Sequence, residues 1–236
     1  MTLVDLAAVT AFAKTRDIIT VIDNTFATPI LQNPLEHGFD LVMHSGTKYL
    51  GGHSDLCCGT VNGPASLIDK VRSFAVNYGG CLNAQDCYLL ERSLKTLALR
   101  VGQQSENAGL IARKLDANKN IARVYYPGLK QHPGHDIAAR QMDGFGGMLS
   151  FELTEGIDPI AYLRRLELVN CAISLGGVET TICQPVATSH QKRSEDERQR
   201  LGITANLLRL SVGIEDAEDI TADLLQAVSY THLRAH

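Results

Sequence analysis

The stretch MHSGTKYLGGHSD, Met43 to Asp55, decides how the chain is read. Lys48 stands at its centre, with Ser45, Gly46 and Thr47 before it and Gly51 and Gly52 after it. A lysine held in a small, glycine-flanked loop can be stripped of hydration, and its freed amine can then attack a carbonyl and form a Schiff base. Upstream, VIDNTFATP (residues 21–29) sets Asp23 behind a short β-branched run. Taken singly these are weak signals, because most lysines are solvated surface charges and an Asp after a strand usually serves a turn or cap. The pair is stronger. Strand, Asp23, connecting segment, second strand and Ser-Gly-Thr-Lys would bring both groups to the carboxyl ends of strands in an open parallel sheet, where ligands bind. A P-loop is excluded, since Gly46-Thr47-Lys48 lacks both the earlier glycine and the Gly-Lys-Ser/Thr order.

A cofactor that uses such a lysine is pyridoxal phosphate (PLP), which also wants an acid beside its pyridinium nitrogen. Asp23 is the candidate acid. Ser45 and Thr47 offer hydroxyls, and the turn offers backbone N–H groups, to the phosphate. The run VIDNTFATPILQNPLEHGFDLVMHSGTKYLGGHSD closely resembles the cofactor-lysine region of the Cys/Met-metabolism (trans-sulfuration) PLP enzymes. That family includes cystathionine γ-synthases, cystathionine γ- and β-lyases, methionine γ-lyases and O-acylhomoserine sulfhydrylases. The resemblance continues through CYLLERSLKTLALRV, YYPGLKQHPGH, QMDGFGGMLSFEL, SLGGVET and LLRLSVGIEDAEDI, nearly the whole chain.

The resemblance implies a fold and a set of roles. The fold is α/β, the major (type I) PLP fold. Residues 1–105 would form a partial large domain with an open, mainly parallel sheet, and residues 106–236 an α+β C-terminal domain. Lys48 would carry the cofactor and later shuttle protons between the substrate Cα and the cofactor. Asp23 would keep the ring nitrogen protonated, and Ser45 and Thr47 would hold the phosphate. Arg209 lies in the apolar run LLRLSVG, where a charge must be paired or face a site. By residue chemistry alone it is a structural ion pair; by resemblance it grips the substrate α-carboxylate through two parallel bonds, helped by Ser174. One departure matters. The synthases and γ-lyases usually carry Glu two residues before the Leu of the SLGG segment, and this chain has Ile173. An apolar residue there is more like methionine γ-lyases and sulfhydrylases. The expected reaction is therefore PLP-dependent γ-elimination or γ-replacement on a sulfur amino acid or O-acylhomoserine. Cystathionine γ-synthase, β-lyase or a catalytically incomplete fragment are the alternatives.

Bulk properties narrow the classes. The chain has 236 residues, 44% of them apolar, and a net charge of −4 with both signs interspersed. That mixture argues against nucleic acid, and no apolar run approaches the length of a membrane span. Residues 1–12 carry Asp5 and no basic cluster, so they do not read as a secretory signal. The six cysteines form no CxxC pair, which suits reduced, mostly buried thiols in a cytoplasmic protein. His132 and His135 lack companions at metal spacing, and no metal is expected. Cys57 and Cys58 read as small core residues, and His190 as a loop residue. A homo-oligomer is implied by the resemblance.

In order, the pattern predicts a helix over 2–15 with Thr2 and Asp5 as a capping pair, a buried strand over 18–22, an irregular segment over 23–34, and strands over 39–43 and 58–62. Helices follow at 65–78 and from Asn83 to about 115, with Gly102 or Gly109 as the break. Strands at 121–125, 147–153 and 207–212 and helices at 135–142, 158–166 and 216–228 complete the pattern. Two further expectations concern the ends. The family's N-terminal part, with its phosphate turn and stacking Tyr, has no counterpart here. The tail SYTHLRAH (residues 229–236) does not continue the family pattern and reads as non-native.

Overall fold

A computed structural model describes residues 2–229. Two sheets organise them. The first is three-stranded, in the order β1 (Val21–Asp23), β2 (Leu41–Ser45), β3 (Gly59–Asn62). β1 runs parallel to β2, and β3 antiparallel to it. The second is five-stranded, in the order β4 (Ile121–Tyr125), β5 (Met148–Leu153), β8 (Leu207–Ser211), β7 (Thr181–Cys183), β6 (Asn170–Cys171). It is antiparallel except for the β6–β7 pair.

Helix α1 (Leu6–Lys14) starts later than its sequence pattern suggests. Asp5 alone caps it, accepting the Ala8 N–H at 3.1 Å, and Thr2 takes no part. The strand expected at 18–22 forms only from Val21. It is not buried either: Ile18, Ile19 and Val21 are each more than half exposed. A β-branched run records strand propensity but not which side of a sheet is covered. α2 (Thr28–Leu31) is a single turn inside the segment expected to be irregular.

After α3 (Ala65–Tyr78), the long predicted helix divides into α4 (Ala84–Leu94) and α5 (Leu97–Asp116). The break is at Lys95–Thr96, while Gly102 and Gly109 pass through α5 without interruption. Asn83 caps α4 as expected, accepting the Asp86 N–H at 2.9 Å. Four of the six cysteines are exposed and only Cys183 is buried, so the thiols are not the core residues they were read as.

The remaining helices are α6 (His135–Gln141), α7 (Pro159–Leu163), α8 (Glu195–Arg200) and α9 (Ala217–Ser229). Of the tail expected at 229–236, Ser229 is instead the last residue of α9, and residues 230–236 lie outside the described residues. α5 and α9 bury Ile111, Leu115, Ile220, Leu224 and Val228 against Leu149, Phe151, Leu208 and Leu210 of the second sheet. A smaller cluster of Leu31, Tyr49, Leu50, Leu97, Val101, Met148 and Leu175 joins α2 and the lysine loop to α5.

One buried carboxylate anchors α9. Asp223 accepts the N–H groups of Glu167, Leu168 and Val169 at 2.8–2.9 Å. Burial works against its charge, but these donors and Gln226 outweigh it and hold the carboxyl below its ordinary range. A depressed folded pKa means the stabilisation is complete above the unfolded carboxylate value and is lost as pH falls towards the folded one. Asp223→Asn should therefore cost about 2 kcal/mol at neutral pH, the scale of hydrogen bonds to a charged group. The gap to wild type should narrow below about pH 4. Thermal melts between neutral and acid pH check this, and a pH-independent gap would refute it.

Candidate active site

The lysine turn is built by what its neighbours leave no room for. Strand β2 ends at Ser45, and residues 46–50 form a wide turn closed by the Gly51 N–H on the Gly46 carbonyl at 2.8 Å. Within it Lys48 has φ −94° and ψ −124°, outside helical values. A Cβ on Gly46 would stand 2.2 Å from the Cys58 sulfur, and one on Gly52, at φ +72°, would stand 2.1 Å from the Arg100 guanidinium. Cys58 thus serves as packing, and burial followed by the nearby Asp86 charge pushes its thiol up. Tyr49 is buried beneath the turn.

Asp23 closes β1. Its Oδ1 accepts the Thr25 N–H at 2.9 Å, which fixes the carboxylate and leaves Oδ2 without a hydrogen bond among the described residues. The Thr25 hydroxyl in turn accepts the Ser45 N–H at 2.8 Å, tying the ends of β1 and β2 together. Beneath them lies a buried amide network. Asn24 Nδ2 donates to the carbonyls of Thr28 and Gln32 and sits 3.3 Å from His44 Nε2, while Gln32 Nε2 donates to Asn24 Oδ1. Burial lowers the His44 pKa, opposed by the Asp23 charge. Thr28 holds φ +63°, a strained value for a β-branched residue, and its N–H closes on the Asn24 carbonyl at 2.9 Å.

Asp23, Ser45 and Lys48 line one cavity of about 510 Å³, together with Thr25, Phe26, Met148 and Leu175. The volume falls in the roughly 300–1,000 Å³ range of small-molecule pockets. An amine, a carboxylate and a hydroxyl on a wall that is mostly apolar, with Asn24, Thr25, Gln32 and Gln141 as further polar groups, fit the groups that pyridoxal phosphate presents. Thr47 is not in that wall. Its hydroxyl bridges the Cys58 backbone, accepting the N–H at 3.1 Å and facing the carbonyl at 3.4 Å.

Arg209 and Ser174 form a second group. Arg209 Nη2 donates to the Ile173 carbonyl at 2.6 Å, and the Ser174 carbonyl accepts the Thr181 hydroxyl at 2.9 Å. Among the described residues Arg209 forms no ion pair, so it is not the structural pair its strand position suggested. Neither residue lines the cavity, but Leu175, next in the chain, does. Several contacts join this loop to the lysine turn. The Val178 N–H donates to the Gly52 carbonyl at 2.9 Å, the Ser54 hydroxyl donates to Glu179 at 2.5 Å, and a Cβ on Gly176 would meet the Tyr49 nitrogen at 2.7 Å. His135 Nδ1 sits 2.8 Å from the Pro127 carbonyl and its ring stacks on Phe145, while His190 pairs with Ser189.

Sequence reading missed Asn24, His44 and Arg100. Asn24 and His44 directly follow Asp23 and precede Ser45, yet nothing in residue type told their buried network from a turn and a strand. Arg100 left a trace, as a charge inside the apolar spacing of Leu97 and Val101.

Residues 1–229 match the Cys/Met metabolism PLP-dependent enzyme family. A cystathionine beta-lyase of Lactococcus lactis subsp. cremoris is 45% identical over 225 residues, covering 95% of this chain and 59% of that protein. An L-methionine gamma-lyase of Fusobacterium nucleatum subsp. polymorphum is 43% identical over 230 residues, covering 96% of this chain and 58% of that one. Among solved structures, a cystathionine gamma synthase of Xanthomonas oryzae pv. oryzae in complex with aminoacrylate and cysteine superposes with a TM-score of 0.94 at 43% identity. That superposition covers 98% of this chain and 60% of the other. The chain thus spans about three-fifths of the length of these relatives. The α/β architecture is that of the type I PLP enzymes, and the chain belongs to the Cys/Met metabolism PLP-dependent enzyme family.

Proposed function

We propose that this chain carries the lysine and carboxylate-binding parts of a PLP enzyme that performs γ-elimination or γ-replacement on a sulfur amino acid or O-acylhomoserine. The observation that supports it best is the single cavity shared by Lys48, Asp23 and Ser45. Pyridoxal phosphate, when bound, supplies an electron sink that acidifies the substrate Cα–H. Lys48 would hold the cofactor through its amine and would take and return the substrate Cα proton. Asp23, oriented by the Thr25 N–H, would keep the ring nitrogen of the cofactor protonated. Ser45, on the cavity wall, would support its phosphate. Thr47 contributes by fixing Cys58 and so the turn.

Arg209 takes the substrate α-carboxylate, with the Ile173 carbonyl setting the plane of its guanidinium. Ser174 borders that site. Ile173 is exposed, and its apolar side chain suits a thioether or acyl substituent better than the distal ammonium of cystathionine. Elimination releases the γ substituent as a thiol or carboxylate and, with one water, a 2-oxo acid and ammonia; replacement releases the same substituent while an incoming thiol forms a new thioether. A second reading, cystathionine β-elimination, is favoured by the likeness to the Lactococcus protein. We assign the boundary between a cofactor-binding unit (1–105) and a C-terminal unit (106–236) to the interior of α5. A cytoplasmic homo-oligomer without nucleic-acid or membrane partners completes the proposal. No helix among the described residues is long and apolar enough to cross a membrane.

Three experiments test this. Borohydride reduction in the presence of PLP should fix the cofactor to the peptide carrying Lys48, as read by mass spectrometry, and Lys48→Ala should abolish the adduct. Label on another lysine would overturn the assignment. Asp23→Asn should lower turnover by roughly 10- to 1,000-fold, since a neighbouring carboxylate shifts a cationic group by 1–3 pKa units. Wild-type turnover in that variant would remove Asp23 from the site. Product analysis, keto acid with thiol and ammonia against a thioether or an aminated second keto acid, separates lyase, replacement and aminotransferase.

A further inference from the structure

Helix α5 carries a row of buried polar side chains where its pattern calls for apolar ones. Arg100, Gln104 and Asn107 follow i, i+4, i+7 spacing, which puts them on one face. They are 5%, 0% and 2% exposed. None binds an acid, and their donors run mainly to backbone carbonyls. Arg100 Nη1 donates to the Tyr49 carbonyl at 2.7 Å, and Nη2 to Leu50 at 3.3 Å and Ser93 at 2.9 Å, while Nε reaches the Thr96 hydroxyl at 3.1 Å. Gln104 Nε2 donates to the Gly177 carbonyl at 2.6 Å, leaving its own oxygen without a partner. Asn107 Nδ2 donates to the carbonyls of Gly213 and Glu215 at 3.2 and 2.8 Å, with Gln103 holding its oxygen.

The three anchored segments are the two carbonyls that follow Lys48, the loop that carries Ser174 and Leu175, and the chain leaving the strand of Arg209. A buried polar row stabilises less than an apolar one unless its bonds are made. Here five of the seven bonds the three side chains donate end on a segment of the site. We propose that Arg100, Gln104 and Asn107 are positioning residues that hold the lysine turn, the 174–177 loop and the exit of β8 to one rigid helix. The spacing between the cofactor amine and the substrate-carboxylate grip is then set by the helix rise. Arg100 also reaches back across Lys95–Thr96, so the break between α4 and α5 and the lysine turn are held by the same guanidinium.

The functional half of this inference rests on the proposed PLP chemistry; the mechanical half does not. Amide exchange in the chain without cofactor tests the mechanical half. Arg100→Gln should speed exchange of residues 51–52 about tenfold or more, and Gln104→Leu should speed exchange of Gly176, whose N–H rests on the Ser211 hydroxyl, about threefold to tenfold, each sparing the other segment. Equal acceleration in both segments, or none, overturns the inference.

With cofactor, Arg100→Gln should weaken PLP binding about tenfold, with partial recovery in Arg100→Lys. Gln104→Leu should weaken PLP binding much less than Arg100→Gln does. It should instead lower, about threefold to tenfold, the preference for L-norleucine over n-pentylamine, the same chain without its carboxylate. If the two variants alter both readouts alike, the functional half fails. If wild type does not take PLP through Lys48, the proposed function fails instead, and the exchange pattern still decides whether α5 is the common anchor.

Discussion

The lysine turn exists because backbone approaches occupied space where no side chain fits. The Cys58 sulfur fills the space beside Gly46, the Arg100 guanidinium that beside Gly52, and the Tyr49 backbone that beside Gly176. Each glycine lets a different segment press against residues 46–52, so the chain entering β3, α5 and the 174–178 loop meet around one lysine. Dense packing of this kind has few alternative arrangements. It explains how Lys48 is held at a backbone geometry a free turn would relax.

Charge inside the chain is handled by the backbone more than by ion pairs. Arg100 spends its donors chiefly on carbonyls, and Asp223 accepts three consecutive N–H groups. The ion pairs among the described residues, Lys95–Glu91, Lys114–Glu218 and Arg140–Asp5, lie at the surface, where each contributes little. Peptide dipoles fixed by secondary structure do not rearrange, so a buried charge held by them also fixes the segments that supply them.

Much of this was legible in the residues. Lys48 and Asp23 stand out in the sequence because strand-end position and residue chemistry coincide, and they line one cavity; the helix at 65–78 forms with the bounds its pattern predicts. The rest was hidden for definite reasons. The α4–α5 break has no glycine or proline; Arg100, bonded to both sides of it, is a tertiary cause. Thr47 looked equivalent to Ser45 by hydroxyl count, and only the return of the chain to Cys58 separates them. The row on α5 escaped notice because the helix was read by its apolar residues, and three polar ones beside them look like a solvated face until their exposure is known.

The open side of the first sheet has a consequence of its own. Among the described residues β1 pairs only with β2, and Ile18, Ile19 and Val21 flank it uncovered. A short, greasy margin with idle peptide groups is a nucleus for sheet growth. A strand docked there would lengthen the sheet from the side of Asp23.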